Sequence, residues 1–141
     1  MSKLYLVPDR KDMERMCALA AEYGCAFEYN DFYIAKVMDD PQKQAEIMAD
    51  YGKCRQVCGE KDLSPKVLSE NTGCENVFSM DTMHGAFLDV TIHSDDPMIR
   101  DVSMLRVRQS MEIAKHMGLK GVVFHTGRLA GFRAPDYLRN W

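Results

Sequence analysis

Long hydrophobic runs are missing from this chain of 141 residues. The longest apolar stretches, such as Leu4–Val7 and Val122–Phe124, extend over no more than six residues, far short of the roughly 18 that a membrane-spanning helix needs. The opening Met1-Ser2-Lys3-Leu4-Tyr5 has no apolar core followed by a small-residue cleavage site. A secretory signal is therefore not expected, and the expected compartment is cytoplasmic. A basic stripe is missing too. Lys and Arg number 18 against 21 Asp and Glu, a formal charge of −3, which argues against nucleic acid as the main partner because phosphate-backbone binders concentrate positive charge. Arg100, Arg106 and Arg108 lie among acids and read as the wet face of a helix. The five cysteines make no CxxC pair, and an odd count without a signal points to reduced thiols. Cys54 and Cys58 would share one side of a helix, where packing explains them better than a metal does. No GxxxxGK[ST] or GxGxxG loop occurs, which disfavours nucleotide-binding open sheets.

What the chain does have is a rhythm of short apolar runs and helix-period segments. Leu4–Val7 is closed by Pro8, and Asp9 or Asp12 can then cap a helix with Met13, Met16, Cys17 and Ala20 on one face. Gly24 stands where a left-handed cap is wanted. After the second run, Cys25–Tyr29, Asp40-Pro41 pairs a capping acid with proline at the first helical position. That helix is expected to reach about Gly52 or Cys58. The polar, turn-rich stretch from Gly59 to Asn76 reads as a surface connection. The third run, Val77–His84, opens into Gly85, and Asp96-Pro97 then starts the longest helix, which Gly118 stops. The fourth run, Gly121–His125, leads to Thr126-Gly127, and Pro135 begins another helix. Strands that alternate with helices and show little period-2 patterning indicate an α/β protein of parallel βα units with both faces of the sheet buried. We expect strands at Leu4–Val7, Ala26–Tyr29, Val77–His84 and Val122–His125, in sequential order.

In parallel α/β folds the active site lies at the carboxyl ends of the strands. Asp9-Arg10 follows the first strand, Glu28 and then Asn30-Asp31 end the second, His84-Gly85 ends the third and His125-Thr126-Gly127 the fourth. Two of the four histidines thus occupy matching strand ends. Neutral imidazole is the commonest protein ligand for zinc, manganese and similar ions, so a metal or substrate role is the natural expectation for His84 and His125. His93 falls in a loop, and His116 falls in the last turn of a helix, where the helix dipole accounts for it. Glu28 is either a functional carboxylate or one paired with a nearby Arg or Lys.

The stretch Met83-His84-Gly85-Ala86-Phe87, then Ser94-Asp95-Asp96-Pro97 with Arg100, Ser103, Arg106, Gln109, Ser110 and Ala114, and finally Gly118 to Gly127, resembles the sugar phosphate isomerase/epimerase superfamily. These are the xylose isomerase-like TIM barrels, with the AP endonuclease family 2 proteins as a branch. The resemblance covers Leu4 to Trp141 and is sharpest from Met83 to Gly127. It implies that residues 1–141 form one unit, the N-terminal half of a (β/α)8 barrel. It further implies a divalent metal ion (Mn, Zn, Co or Mg) and a small sugar or sugar phosphate as substrate. Glu28 would be catalytic, His84 and His125 would be metal ligands or substrate contacts, and Arg133 would be a further substrate contact. Family members are about twice this length, and their later strands supply more metal ligands. The resemblance therefore implies completion by a C-terminal half or by a second copy in a homodimer. Two alternatives accompany it: a non-catalytic, self-associating half-barrel module, and a metal-dependent phosphodiesterase of the AP endonuclease type, which the negative charge disfavours.

Overall fold

A computed structural model describes residues 4–61 and 81–125, without the side chains of 53–61. The strands β1 (Tyr5–Leu6), β2 (Ala26–Tyr29), β3 (Thr82–His84) and β4 (Gly121–Val123) form one sheet in the order β1-β2-β3-β4. Every neighbouring pair is parallel, with Leu6 beside Phe27, Tyr29 beside Met83, and Met83 beside Val122. The sequential parallel order is the expected one. The strands are shorter than the apolar runs: β4 ends two residues before His125, and the Val77–Met80 part of the third run lies outside the described residues. The helix expected from Pro135, and Arg133, also lie outside them.

Helix α1 (Met13–Tyr23) buries Met13 and Cys17 and half-buries Met16 and Ala20, the face its spacing specified. Gly24 ends it at φ 62°, a left-handed conformation that costs glycine nothing. The Asp9 carboxylate accepts from the Lys11 N–H and caps a 3-10 turn (Arg10–Asp12), while the Asp12 side chain caps nothing. A short α2 (Ala35–Met38) carries no start signal in the sequence and was not expected. It forms because Val37 and Met38 are buried and because the Gln44 side-chain amide donates to the carbonyls of both. Helix α3 (Pro41–Lys61) is capped by Asp40, which accepts from the Lys43 N–H, and continues through Gly59–Lys61, past its expected end. Helix α4 (Pro97–His116) has Asp96 as its N-cap, accepting from the Met98 N–H at 2.8 Å, and Gly118 follows at φ 68°.

Side chains alternate across the sheet. Phe27, Tyr29 and Met83 point to one face, where they meet Met13, Cys17, Ile47, Tyr51, Ile113 and Ala114 from the helices. All the described long helices therefore cover the same face. A doubly wound sheet would instead reverse its strand order and cover both faces. The opposite face, with Tyr5, Glu28, Thr82, His84 and Val123, has no helix on it among the described residues. Tyr5, Val7 and Val123 are 43%, 54% and 40% exposed. The expected burial of both faces is met in full on the helix side among the described residues, and in the centre of the other face Glu28, Thr82 and His84 are half-buried.

Two further expectations are corrected. Cys17 is disulfide-bonded, whereas Cys25 is a free thiol; cysteine counts carry no information about which sulfurs the packing brings together. Arg106 is no wet-face residue, because its guanidinium grips Asp39 bidentately and ties α4 to the end of α2, with Gln109 joining the cluster. Arg106 in turn holds the Asp39 carboxyl below its ordinary pKa by hydrogen bonding.

Candidate active site at the strand ends

His84 is the last residue of β3, and the alternation that buries Met83 among the helices turns His84 to the open face. Gly85 follows, and its N–H donates to the Val123 carbonyl at 2.9 Å. A Cβ at Gly85 would lie 2.8 Å from Val122 Cγ1 and inside contact distance of the Phe124 ring. Only glycine lets β4 run this close to the end of β3, and that closeness carries His125 to His84. The two Nε2 atoms are 3.0 Å apart, and the ring centroids 4.8 Å.

One hydrogen bond bears on the roles of the ring nitrogens. His84 Nδ1 lies 3.1 Å from the Gly85 carbonyl oxygen, which can only accept. Nδ1 therefore carries a proton, and in the singly protonated ring Nε2 presents a lone pair. In that tautomer His125 Nε2–H is the donor of the contact. Two nitrogens about 2.1 Å from a common ion stand about 3.0 Å apart at the right angle of an octahedral site and about 3.4 Å apart in a tetrahedral one, and an Nδ1–H bonded to a carbonyl is the usual outer-shell support of a metal-ligating histidine. The donor set fits a divalent ion as two ligands, although the described residues contain no cluster of three or more ligating side chains.

An aromatic wall backs the pair. Phe87 stacks on His125 at 4.5 Å and 20°, meets His84 edge-on at 4.7 Å, and stacks on Tyr33 at 4.9 Å. The loop bearing Phe87 is pinned by two buried serines of α4. Ser110 Oγ accepts from the Ala86 N–H at 3.0 Å and donates to the Arg106 carbonyl. Ser103 Oγ accepts from the Thr91 N–H at 2.8 Å and donates to the Ile99 carbonyl. These are the spaced serines of the motif, and each satisfies a loop N–H, that of Ala86 buried and that of Thr91 partly so.

Glu28 shares the open face with His84 but sits level with Thr82 on the neighbouring strand. That is one side-chain layer lower, or roughly 7 Å along the strand. It is half-buried and makes no hydrogen bond or ion pair among the described residues. Arg10 and Asp31, at the ends of β1 and β2, pair with each other at 3.3 Å, and Arg10 also reaches Asp50. Tyr51 donates to Asp31, and its phenol is held neutral far above its ordinary pKa, first by burial and then by that carboxylate. These polar groups are committed to one another.

The sequence reading missed Tyr33 and Asp81. Asp81 is 2% exposed and accepts from the Phe27 N–H at 2.9 Å and the Tyr29 hydroxyl at 2.8 Å, which locks the start of β3 to β2. An acid just before a strand was the only available signal. A cleft of about 560 Å3 lies on the helix side between α3 and α4, lined by Met38, Gln44, Met48, Gln109, Ile113 and His116, away from the strand ends. No helix among the described residues is long and apolar enough to cross a membrane. Comparison with family models finds no match for this chain, and no curated protein is similar enough to count as a relative.

Proposed function

We propose that this chain carries the metal- and substrate-holding strand ends of a sugar isomerase/epimerase-like barrel, of which the four parallel strands are the first half. The observation that carries the reading is the imidazole pair, with Nε2 atoms 3.0 Å apart at the carboxyl ends of adjacent strands and one ring's tautomer fixed by the Gly85 carbonyl. His84 and His125 would hold a divalent ion (Mn, Zn, Co or Mg) through Nε2. Bound there, the ion supplies polarisation of a hydroxyl or carbonyl oxygen of the sugar. Glu28, a carboxylate on the same face with no hydrogen bond or ion pair among the described residues, takes a proton from the substrate carbon and returns it. Phe87 and Tyr33 exclude water from one side of the imidazoles and present ring faces to the apolar side of a sugar. Arg133 is assigned to a substrate phosphate or hydroxyl on the sequence resemblance alone. The net charge of −3 disfavours the phosphodiesterase alternative, whose nucleic-acid substrate calls for concentrated positive charge.

Calorimetric titration with Co2+ tests the ligand assignment. Two imidazoles leave the coordination shell short, so binding should be weak, and it should be lost in both His84→Ala and His125→Ala. Binding that survives both substitutions would refute it. A panel of aldoses, ketoses and their phosphates, assayed with Mn2+ or Co2+, tests the reaction. Turnover should appear with the ion and disappear in Glu28→Gln; an assembly that binds the ion but turns over none of the panel would refute the isomerase reading.

A further inference from the structure

We propose that Glu28, Thr82 and Gly121 form the floor of a binding pocket on the open face of the sheet. The Thr82 hydroxyl orients the Glu28 carboxylate, and the side chain missing at Gly121 leaves room for a carbon of a polyhydroxylated ligand. The class of ligand rests on the isomerase/epimerase-like reading; the two added residues, Thr82 and Gly121, rest on the geometry of the sheet.

The register sets the three in a row. Glu28 of β2 lies beside Thr82 of β3, and Thr82 beside Gly121 of β4. In-register neighbours on parallel strands turn to the same face, and a Cβ built at Gly121 indeed points toward Thr82 Cγ2. That face is the one opposite Tyr29 and Met83, which pack under the helices. His84 and Val123 are the next paired positions on the same face, roughly 7 Å further along the strands. The row therefore lies one layer below His84.

Each member of the row has a property that packing among the described residues leaves unexplained. Glu28 is half-buried and makes no hydrogen bond or ion pair there. Thr82 Oγ1 is buried without a hydrogen-bond partner, a condition rare in folded proteins because the lost solvation is not recovered. Neighbouring strands stand about 4.8 Å apart, within reach of a glutamate side chain. Turned along the row, the Glu28 carboxylate accepts the Thr82 hydroxyl, and both groups are satisfied at once.

Gly121 is the third. Gly24 and Gly118 take positive φ, and at Gly85 a Cβ would collide with Val122 and Phe124. Gly121 has neither reason: its φ is ordinary, and a Cβ there would meet only Thr82 Cγ2, at a comfortable 3.8 Å. Glycine weakens a strand, and inside one it marks a place that a ligand or another backbone approaches closely. The row is thus polar at β2 and hollow at β4. A carbon bearing a hydroxyl fits both ends of it, with the hydroxyl donating to Glu28 and the carbon lying over Gly121. A chain of a few carbons then carries further hydroxyls up to the imidazoles.

Titration of the whole chain with glycerol, erythritol, xylitol and sorbitol, in chelator and followed by the NMR shifts of the Thr82 and Gly121 amides, tests the proposal. Binding should strengthen with chain length and move both amides. Gly121→Ala should weaken it about tenfold or more, with the urea midpoint unchanged or raised because the strand loses a glycine. Thr82→Val removes the hydroxyl at nearly constant shape and should weaken binding without loss of stability, whereas Thr82→Ser should bind as the native chain does. Native affinity in either Gly121→Ala or Thr82→Val overturns the floor and leaves the sugar reading standing. A fall in stability that accompanies the lost binding of Gly121→Ala overturns it too, since the glycine would then serve packing. A native chain that binds none of the polyols overturns the floor and the sugar reading together.

Discussion

Gly85→Ala is the most informative single substitution, because one added methyl tests both the packing and the site. The new Cβ would fall 2.8 Å from Val122 Cγ1 and deeper still into the Phe124 ring, and neither β-branched valine nor a ring held beside a strand can yield cheaply. Overpacking of this kind costs about 1–3 kcal/mol, which for a chain of this size corresponds to a fall in Tm of roughly 3–10 °C. The strain acts on the seam between β3 and β4, where the Gly85 N–H donates to the Val123 carbonyl, so the Nε2–Nε2 contact of His84 and His125 should open with it. Gly52→Ala is the matched control: that glycine lies within α3 with nothing within 4 Å of the added carbon, and the substitution should stabilise by about 1 kcal/mol. Urea denaturation measures both changes, and imidazole nitrogen shifts in NMR report the histidine contact. If Gly85→Ala proves as stable as the native chain, or weaker in stability with the imidazole signals unchanged, the close approach of β4 is not what joins the two histidines.

Asp81→Ala should destabilise by about 2–5 kcal/mol, since it removes the buried acceptor of the Phe27 N–H and of the Tyr29 hydroxyl; a loss below 1 kcal/mol in urea denaturation would deny Asp81 that role. Ser110→Ala should cost about 1–3 kcal/mol by leaving the Ala86 N–H unpaired and should raise amide exchange in the Gly85–Thr91 loop, whereas unchanged exchange would mean that the loop is held by other contacts. The Asp39 carboxyl, lowered chiefly by its hydrogen bond to Arg106, contributes stability that is present above its unfolded pKa of about 3.9 and lost as pH falls through the lower folded value. Tm should therefore drop below about pH 4 more steeply in the native chain than in Arg106→Gln, and parallel curves would refute the link.

Local signals in the sequence determined the local structure. The spacing of Met13, Met16, Cys17 and Ala20 fixed the buried face of α1, because 3.6 residues per turn leave no other side for four apolar groups. Asp40-Pro41, Asp96-Pro97, Gly24 and Gly118 fixed helix ends, because capping acids satisfy free N–H groups and glycine accepts positive φ. The apolar runs fixed four strands, and their parallel sequential order followed from the helices between them. Position at strand ends also marked His84 and His125 as a pair. Only the tertiary structure decided that their rings meet, because 41 residues separate them and the register between β3 and β4, with no side chain at Gly85, sets the distance. It likewise decided that α2 forms, that Arg106 turns to Asp39, that Cys17 is cross-linked and that Glu28 stands one layer below the imidazoles. Each of these depends on which surfaces come together across the chain, and burial and register, unlike periodicity and capping, are not written in any short stretch of residues.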